Sequence, residues 1–264
     1  MNPATSVSRL LRKTKTAKGT KETLITHLEI HMRNLQLRFR LVNQYMRMFQ
    51  KSVKDDPLSK HDAEATEYLR QLDAPNVLEI GSRNVSGNID RNKFPNAREY
   101  TGFDVLEGEN VDIVGDVHEL SNLVPNDHFD IVYSTSVFEH LVFPWKAALE
   151  INRVLKPGGY VLTQTHPAWP EHEMPWDFWR FPHQAFLSLF NEYTGFEIVS
   201  KAEGRPMRAF SCTNDGSMLK LYRRNLNGGV QCLARKIGPY RDDLLKWDLV
   251  ASDVVNNIYP PKKT

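Results

Sequence analysis

Apolar residues recur along this chain in two different periods. Leu28, Met32, Leu35, Phe39, Val42, Met46, Phe49 and Val53 succeed one another at alternating spacings of four and three, a heptad seam over nearly four repeats. Ile30, Leu37, Leu41 and Tyr45 widen that stripe beyond a pure two-stranded coiled coil. The segment therefore predicts a long amphipathic helix over 22–53, packed over its own domain or forming a homodimer, and Asp55-Asp56-Pro57 predicts its stop. A short helix is expected from Asp62 to Leu72.

Beyond it the period changes. Short apolar runs at Val77–Ile80, Arg98–Phe103, Val111–Val114, Phe129–Ser134, Tyr160–Thr165, Phe196–Lys201 and Val230–Lys236 read as strands. Amphipathic helices are expected at Phe143–Leu155, stopped by Lys156-Pro157-Gly158-Gly159, and at Pro182–Tyr193. Strands alternating with helices predict an α/β fold: a doubly wound, mostly parallel seven-stranded sheet covered on both faces, with a helical N-terminal extension. The expected organisation is a basic tail at 1–21, the long helix at 22–56, a folded domain at 57–238 and an extension at 239–264.

Composition narrows the class. With 264 residues, 41% of them hydrophobic and 25% charged, the chain has material for one large α/β domain. It shows neither a run of apolar residues long enough for a membrane span nor an apolar secretory leader. Two cysteines, Cys212 and Cys232, form no disulfide framework or zinc spacing, so a reducing, cytoplasmic setting is expected. The net charge of +2 conceals an asymmetry. Arg9, Arg12, Lys13, Lys15, Lys18 and Lys21 all precede the first acid, Glu22, so the remainder carries −4. Such a tail could touch nucleic acid or anionic lipid, although a solvated terminus is the commoner case.

In an open parallel sheet, ligands bind at the carboxyl ends of the strands, beside the point where strand order reverses. The first strand runs into Glu79-Ile80-Gly81-Ser82-Arg83-Asn84-Val85-Ser86-Gly87, a glycine turn without the lysine of a phosphate loop. Asp104 ends the second strand, where an acid can accept from ribose hydroxyls. Asp116-Val117 ends the third, and an acid beside an apolar residue suits an adenine.

Together VLEIGSRNVSG, YTGFDV, VGDVHEL, FDIVYSTSVFEHL and RVLKPGGYVL resemble class I S-adenosyl-L-methionine (SAM)-dependent methyltransferases of the broad type 11 group, over about Val77 to Lys201. The resemblance implies that Gly81, Ser82 and their neighbours approach the methionine end of SAM, with Glu79 supporting the turn. It implies that Asp104 and Val105 hold the ribose, that Asp116 and Val117 hold the adenine, and that Ser134 and Thr135 lie against the methionine moiety. The chain departs from the family's acid-x-Gly-x-Gly-x-Gly turn, having Arg83 and Val85 at the second and third glycines. Arg83 could pair with the SAM carboxylate or fill the methionine pocket, and Gly87 could restore part of the lost flexibility.

The acceptor side is read from the segments just after the fourth and fifth strands. His166 and His140 are the candidate general bases. The stretch from Thr165 to Phe181 holds Trp169, Trp176 and Trp179 and several prolines, and is expected to wall the acceptor, with Arg180 reading an acidic group, or to pack as a satellite core. His166, His172, His183, Glu171, Glu173 and Asp177 show no tight ligand spacing, so no metal is expected. Ser134-Thr135-Ser136 is not the Asn/Asp-Pro-Pro-aromatic motif of adenine amino-methylation, and no cysteine stands there for attack on a pyrimidine. The expected activity is therefore methyl transfer to a small-molecule or glycan-type acceptor, at oxygen. Two alternatives stand beside it: an RNA or protein methyltransferase recruited through the basic tail, and a non-catalytic assembly subunit with a degenerate cofactor site.

Overall fold

The computed structural model describes residues 28–40, 42–43, 55–85, 87, 89–209 and 225–243. The basic tail, Leu41, Tyr45, Met46, Phe49, Val53, Ser86, Cys212 and the extension beyond 243 lie outside the described residues. The chain divides into two units, Met1–Ser52 and Val53–Thr264. In the first, residues 28–40 and 42–43 are helical. The seam residues Leu28, Met32, Leu35, Phe39 and Val42 are exposed.

The second unit is built on a seven-stranded sheet. Its strands are β1 (Asn76–Ile80), β2 (Glu99–Asp104), β3 (Ile113–Val114), β4 (Phe129–Thr135), β5 (Leu155–Thr165), β6 (Phe196–Arg208) and β7 (Asn225–Lys236), in the order 3-2-1-4-5-7-6. The pairs from β3 through to β5 are all parallel, and β7 runs antiparallel to both β5 and β6. The mostly parallel seven-stranded sheet expected from the sequence is thus present, with one reversed strand. Successive residues point to opposite faces, so each central strand feeds two cores. Leu78, Ile80, Val132 and Val161 join one, with Ile151 and Val154 of the helix packed on it. Val77, Ile131, Tyr133 and Leu162 join the other, with Ala65 and Leu69.

The helices are α1 (Pro57–Arg70), α2 (Leu120–Leu123), α3 (Pro144–Val154) and α4 (Phe186–Leu189). Asp56-Pro57, where the long helix was expected to stop, begins the next helix. Asp56 caps α1 by accepting from the Ser59 amide, and Pro57 occupies the first turn, where its missing N–H is no loss. The helix expected over Pro182–Tyr193 is broken into a 3-10 turn (His183–Ala185), α4 and a second 3-10 turn (Glu192–Thr194). The breaker is Asn191. Its side chain takes the amides of Tyr193 and Thr194 while Thr194 Oγ1 accepts from the Asn191 amide, a capping box that competes with a continuing helix. Gly195 then leaves in the left-handed region at φ 77°.

Lys156-Pro157-Gly158-Gly159 is a bulge at the start of β5, not a separate turn: Phe129 pairs with Leu155, and Ile131 next pairs with Tyr160. Cys232 is buried in β7, and burial pushes its thiol up to about 12, so it is inert rather than reactive. Among the described residues no helix is long and apolar enough to cross a membrane.

Ile151 on α3 is wholly enclosed by the larger core. Ile151→Ala is expected to lower stability by about 2–5 kcal/mol. The measurement is a fall in the denaturant midpoint with an unchanged slope; an unmoved midpoint would contradict this packing.

Candidate functional site

The strand order reverses between β1 and β4, so the carboxyl ends of β1, β2, β3 and β4 border one crevice edge. Glu79, one residue short of the β1 end, is buried. Its Oε2 accepts from Tyr100 Oη (2.8 Å) and from Asn110 Nδ2 (3.0 Å). Burial raises the Glu79 pKa, against the opposing pull of the Tyr100 hydrogen bond. Asn110 Nδ2 also donates to the Ser82 carbonyl (2.9 Å), so one amide group ties the acid to the turn it supports. Gly81 turns the chain at φ 81°, and a Cβ there would meet Val137 Cγ2 at 2.2 Å. Only glycine combines that φ with that approach.

Asp104 ends β2, and its side chain is only 11% exposed. Its oxygens accept from the amides of Arg83 (3.3 Å) and Leu106 (2.9 Å), and Arg83 Nε stands 3.6 Å from Oδ1. Arg83 is thus drawn along β2 toward Asp104. Its stem lies over Gly108, where a Cβ would come within 2.8 Å of Arg83 Cγ. Asp104 is paired in register with Val114, which places Asp116 two residues beyond the neighbouring strand end. The two acids therefore share one edge. Asp116 is 61% exposed and accepts from the backbone amide of His118 (2.9 Å), whose Nδ1 also meets it at 2.6 Å. Burial, the largest single influence, raises its pKa, but the His118 contacts and the Lys146 charge together outweigh that and lower it overall.

Val117 is buried and Val105 exposed. Gly87 donates its amide to Asn84 Oδ1, closing the loop on itself. Ser134 at the end of β4 is fully buried, and neither its Oγ nor that of Ser82 has a hydrogen-bond partner among the described residues. Thr135 Oγ1 donates to Tyr133 Oη (2.8 Å), on the opposite face from Ser134.

At the ends of β4 and β5 the aromatic stretch is organised around Asp177, whose side chain is almost wholly covered. Arg180 grips it with both terminal nitrogens (2.6 and 2.7 Å). The guanidinium also donates to the carbonyls of Trp169, Pro170 and Trp179, so all five of its N–H groups are engaged. The expectation that Arg180 reads an acidic group on an acceptor is therefore corrected: it is the staple of the loop. The Arg180 hydrogen bonds, the largest influence, hold the Asp177 carboxyl well below the usual carboxylate range.

The tryptophans, expected to wall an acceptor or to pack as a satellite core, are partly exposed: Trp169 43%, Trp176 61%, Trp179 38%. Each packs against a neighbouring ring and stays partly open to solvent. Trp145 meets Trp179 edge-on at 6.1 Å and Phe178 meets Trp176 at 5.9 Å, while Phe181 alone anchors into the larger core.

His166 is buried, stacked at 4.9 Å on Trp169. Its Nδ1 faces the Gly228 carbonyl (3.0 Å), and its Nε2 faces Ser136 Oγ (3.2 Å) and Glu139 Oε1 (3.3 Å). His140 Nδ1 faces the Trp176 carbonyl (2.6 Å), and its ring lies 4.7 Å from that of His172. Of the six residues scanned for metal ligation, only His172 enters a group of ligating side chains, with Glu139 and His140 of the EHL motif. Sequence reasoning passed over Asn110, His118, Val137 and Glu139. An Asn adopting φ 70° is invisible before folding, and no ligand spacing in the sequence singles out Glu139.

Residues 59–201, just over half the chain, match a family model described as a methyltransferase domain. No curated protein matches the chain. Solved structures similar in fold include a SAM-dependent methyltransferase from Archaeoglobus fulgidus (17% identity, 74% of this chain and 99% of that one, TM-score 0.47). Another is the Burkholderia thailandensis 1,6-didemethyltoxoflavin-N1-methyltransferase, solved with 1,6-didemethyltoxoflavin and S-adenosylhomocysteine (15%, 79% and 90%, 0.48). A third is a SAM-dependent methyltransferase from Mesorhizobium loti (16%, 66% and 96%, 0.42).

The lowered Asp177 pKa makes the loop acid-sensitive in a defined direction. A depressed folded-state pKa stabilises above the unfolded value and is lost as pH falls through the folded one. Asp177→Asn is expected to lower the melting temperature by roughly 4–10 °C at pH 7, with the gap from wild type narrowing below about pH 4. Tryptophan-fluorescence melts at pH 7 and pH 3 check this; a gap that widens in acid would refute it.

Proposed function

The chain belongs to the methyltransferase-domain family, and from that premise we propose that it transfers a methyl group from SAM to a small-molecule or glycan-type acceptor, at oxygen. The observation that carries the cofactor assignment is the pair Asp104 and Asp116 at the ends of adjacent parallel strands, one strand away from the tight turn at Gly81. The residues fit a polar nucleoside ligand. Ser82 Oγ and Ser134 Oγ are buried hydrogen-bonding groups left without partners, and Asp104 accepts two amides while keeping lone pairs for a diol.

When bound, SAM supplies a methyl group on a positively charged sulfur. The rest is positioning, which can contribute on the order of 7–11 kcal/mol. Asp104 holds the ribose, and Asp116, oriented by His118, receives the adenine amino group beside the apolar wall of Val117. Arg83 can turn from Asp104 toward the methionine carboxylate, since its side chain is about one-third exposed and its Nε makes only a 3.6 Å ion pair, with no hydrogen bond among the described residues. The substitution of the family's glycine thus replaces a close backbone approach by a charged side-chain contact.

The acceptor would enter at the ends of β4 and β5, against the half-exposed rings of Trp169, Trp176 and Trp179, surfaces suited to a sugar or another flat ligand. His166 is the base we assign. A backbone carbonyl can only accept, so the contact with Gly228 requires a proton on Nδ1 and leaves Nε2, beside Ser136 Oγ and Glu139 Oε1, as the nitrogen that would take up a proton. His140 is more exposed to competing contacts, with Glu173 Oε2 at 3.8 Å from its Nε2. The non-basic body of the domain and the absence of amino-methylation and cysteine signatures after β4 favour oxygen over a nucleic-acid base.

Calorimetry with SAM tests the reading. Wild type is expected to bind, and Asp104→Ala to bind at least tenfold more weakly, a loss of about 1.4 kcal/mol or more. Equal heats from the two proteins would remove Asp104 from the site, and no heat from wild type would overturn SAM binding altogether.

A further inference from the structure

We propose that Glu139, His140 and His172 form a binding site for one divalent transition-metal ion of the zinc class. The inference goes beyond the methyl-transfer reading and does not rest on it.

Glu139 sits in the 3-10 turn after β4, with no exposed surface. Its Oε2 accepts from Thr165 Oγ1 (2.6 Å), but its Oε1 has no hydrogen-bond partner among the described residues. A buried carboxylate oxygen without a partner is costly unless a cation compensates it. Around it the histidines are held in one tautomer. His140 Nδ1 faces the Trp176 carbonyl, His172 Nδ1 the Pro170 carbonyl (3.2 Å), and His166 Nδ1 the Gly228 carbonyl. Carbonyl oxygens only accept, so each Nδ1 carries a proton, and in the neutral imidazole Nε2 is the nitrogen free to ligate. The Nε2 of His166 lies 3.3 Å from Glu139 Oε1, a contact that is favourable only with a proton or a metal ion between the two atoms.

One ligand atom from each of Glu139, His140 and His172 lies within 4.8 Å of the others. Donors bound at about 2.1 Å to a common tetrahedral ion stand roughly 3.4 Å apart, so closing on the ion requires side-chain shifts of up to about 1.4 Å. Two imidazoles and a carboxylate are the donor set of an open zinc site and also suit ferrous iron. The outer shell is built as well. Asp177 Oδ2 accepts from the His172 backbone amide (2.9 Å) and lies 3.4 Å from its Nδ1, the carboxylate-behind-histidine arrangement that orients metal ligands. Arg180 in turn fixes Asp177.

The full chain, stripped with a chelator and dialysed, is titrated with Zn²⁺ by calorimetry and with Co²⁺ by visible absorption, both without SAM. One equivalent of either ion is expected, with intense Co²⁺ bands of a low-coordinate site. His140→Ala/His172→Ala is expected to bind at least 100-fold more weakly, and Asp177→Asn about 10–100-fold more weakly. His183→Ala should bind like wild type. Because the double variant could misfold, the single His172→Asn, at a partly exposed position, is measured beside it with circular dichroism. No stoichiometric binding by wild type, or binding unchanged in both folded histidine variants, would overturn the site and point to a proton shared between His166 and Glu139. Normal SAM heats alongside either result would leave the transferase reading standing.

Discussion

A carboxylate buried at the tip of the first strand holds the cofactor edge together. Glu79 is out of water, and its hydrogen bonds reach Tyr100 on the neighbouring strand and Asn110 in the loop beyond it. Asn110 spans from that acid to the Ser82 carbonyl, so the turn after β1 and the loop after β2 are fixed by one shared group. A buried acid held by two hydrogen bonds on one oxygen is costly to break, because each lost hydrogen bond leaves a desolvated group behind. Gly81 can then keep its positive φ and its approach to Val137 without the additional glycines of the family turn. The rigidity of this turn comes from polar contacts.

That substitution explains why Arg83 is tolerated. An arginine beside a ligand pocket must either find an anion or block the pocket. Here it finds Asp104 on the adjacent strand, and Gly108 leaves room for its stem. The pairing is loose, at 3.6 Å and partly exposed, so it is weak in water. A weak resting partner leaves the Arg83 side chain easy to redirect.

Most of the sheet was legible because buried parallel strands read as short, nearly continuous apolar runs, and Val77–Ile80, Phe129–Ser134 and Tyr160–Thr165 stand out on that ground. Strand-end acids came from the general rule for open sheets. The hidden features depend on competition between side chain and backbone. Asp56-Pro57 is equally a stop for the preceding segment and a cap for the next helix, and only packing chooses. Asn191 breaks a plausible amphipathic helix by claiming amides two and three residues on. Arg180 looked like a free cation because its partner, Asp177, lies three residues away on a chain with no helical pattern to bring them together. The grouping of Glu139 and His140 with His172 was equally hidden: α3, β5 and the start of the proline-punctuated loop separate them, and no spacing rule spans that distance.

The two halves of the crevice are therefore built from different materials. The half at β1 to β3 is strand-end backbone and carboxylates, positioned by the register of a parallel sheet, and could accept any nucleoside of the right shape. The half at β4 and β5 is a self-supporting loop in which Asp177 and Arg180 fix the main chain and half-exposed aromatic rings shield one another. Its histidines cannot swing freely, since each gives one ring nitrogen to a carbonyl. Holding three imidazoles and a dry carboxylate in fixed orientation is costly for a wall whose sole task is shape. Hydrophobic side chains would fill the same volume more stably. The persistence of that polar group beside the proposed acceptor entrance is best understood if the nitrogens and the oxygen act on something that arrives with the acceptor or waits for it, and shape alone would not require their alignment.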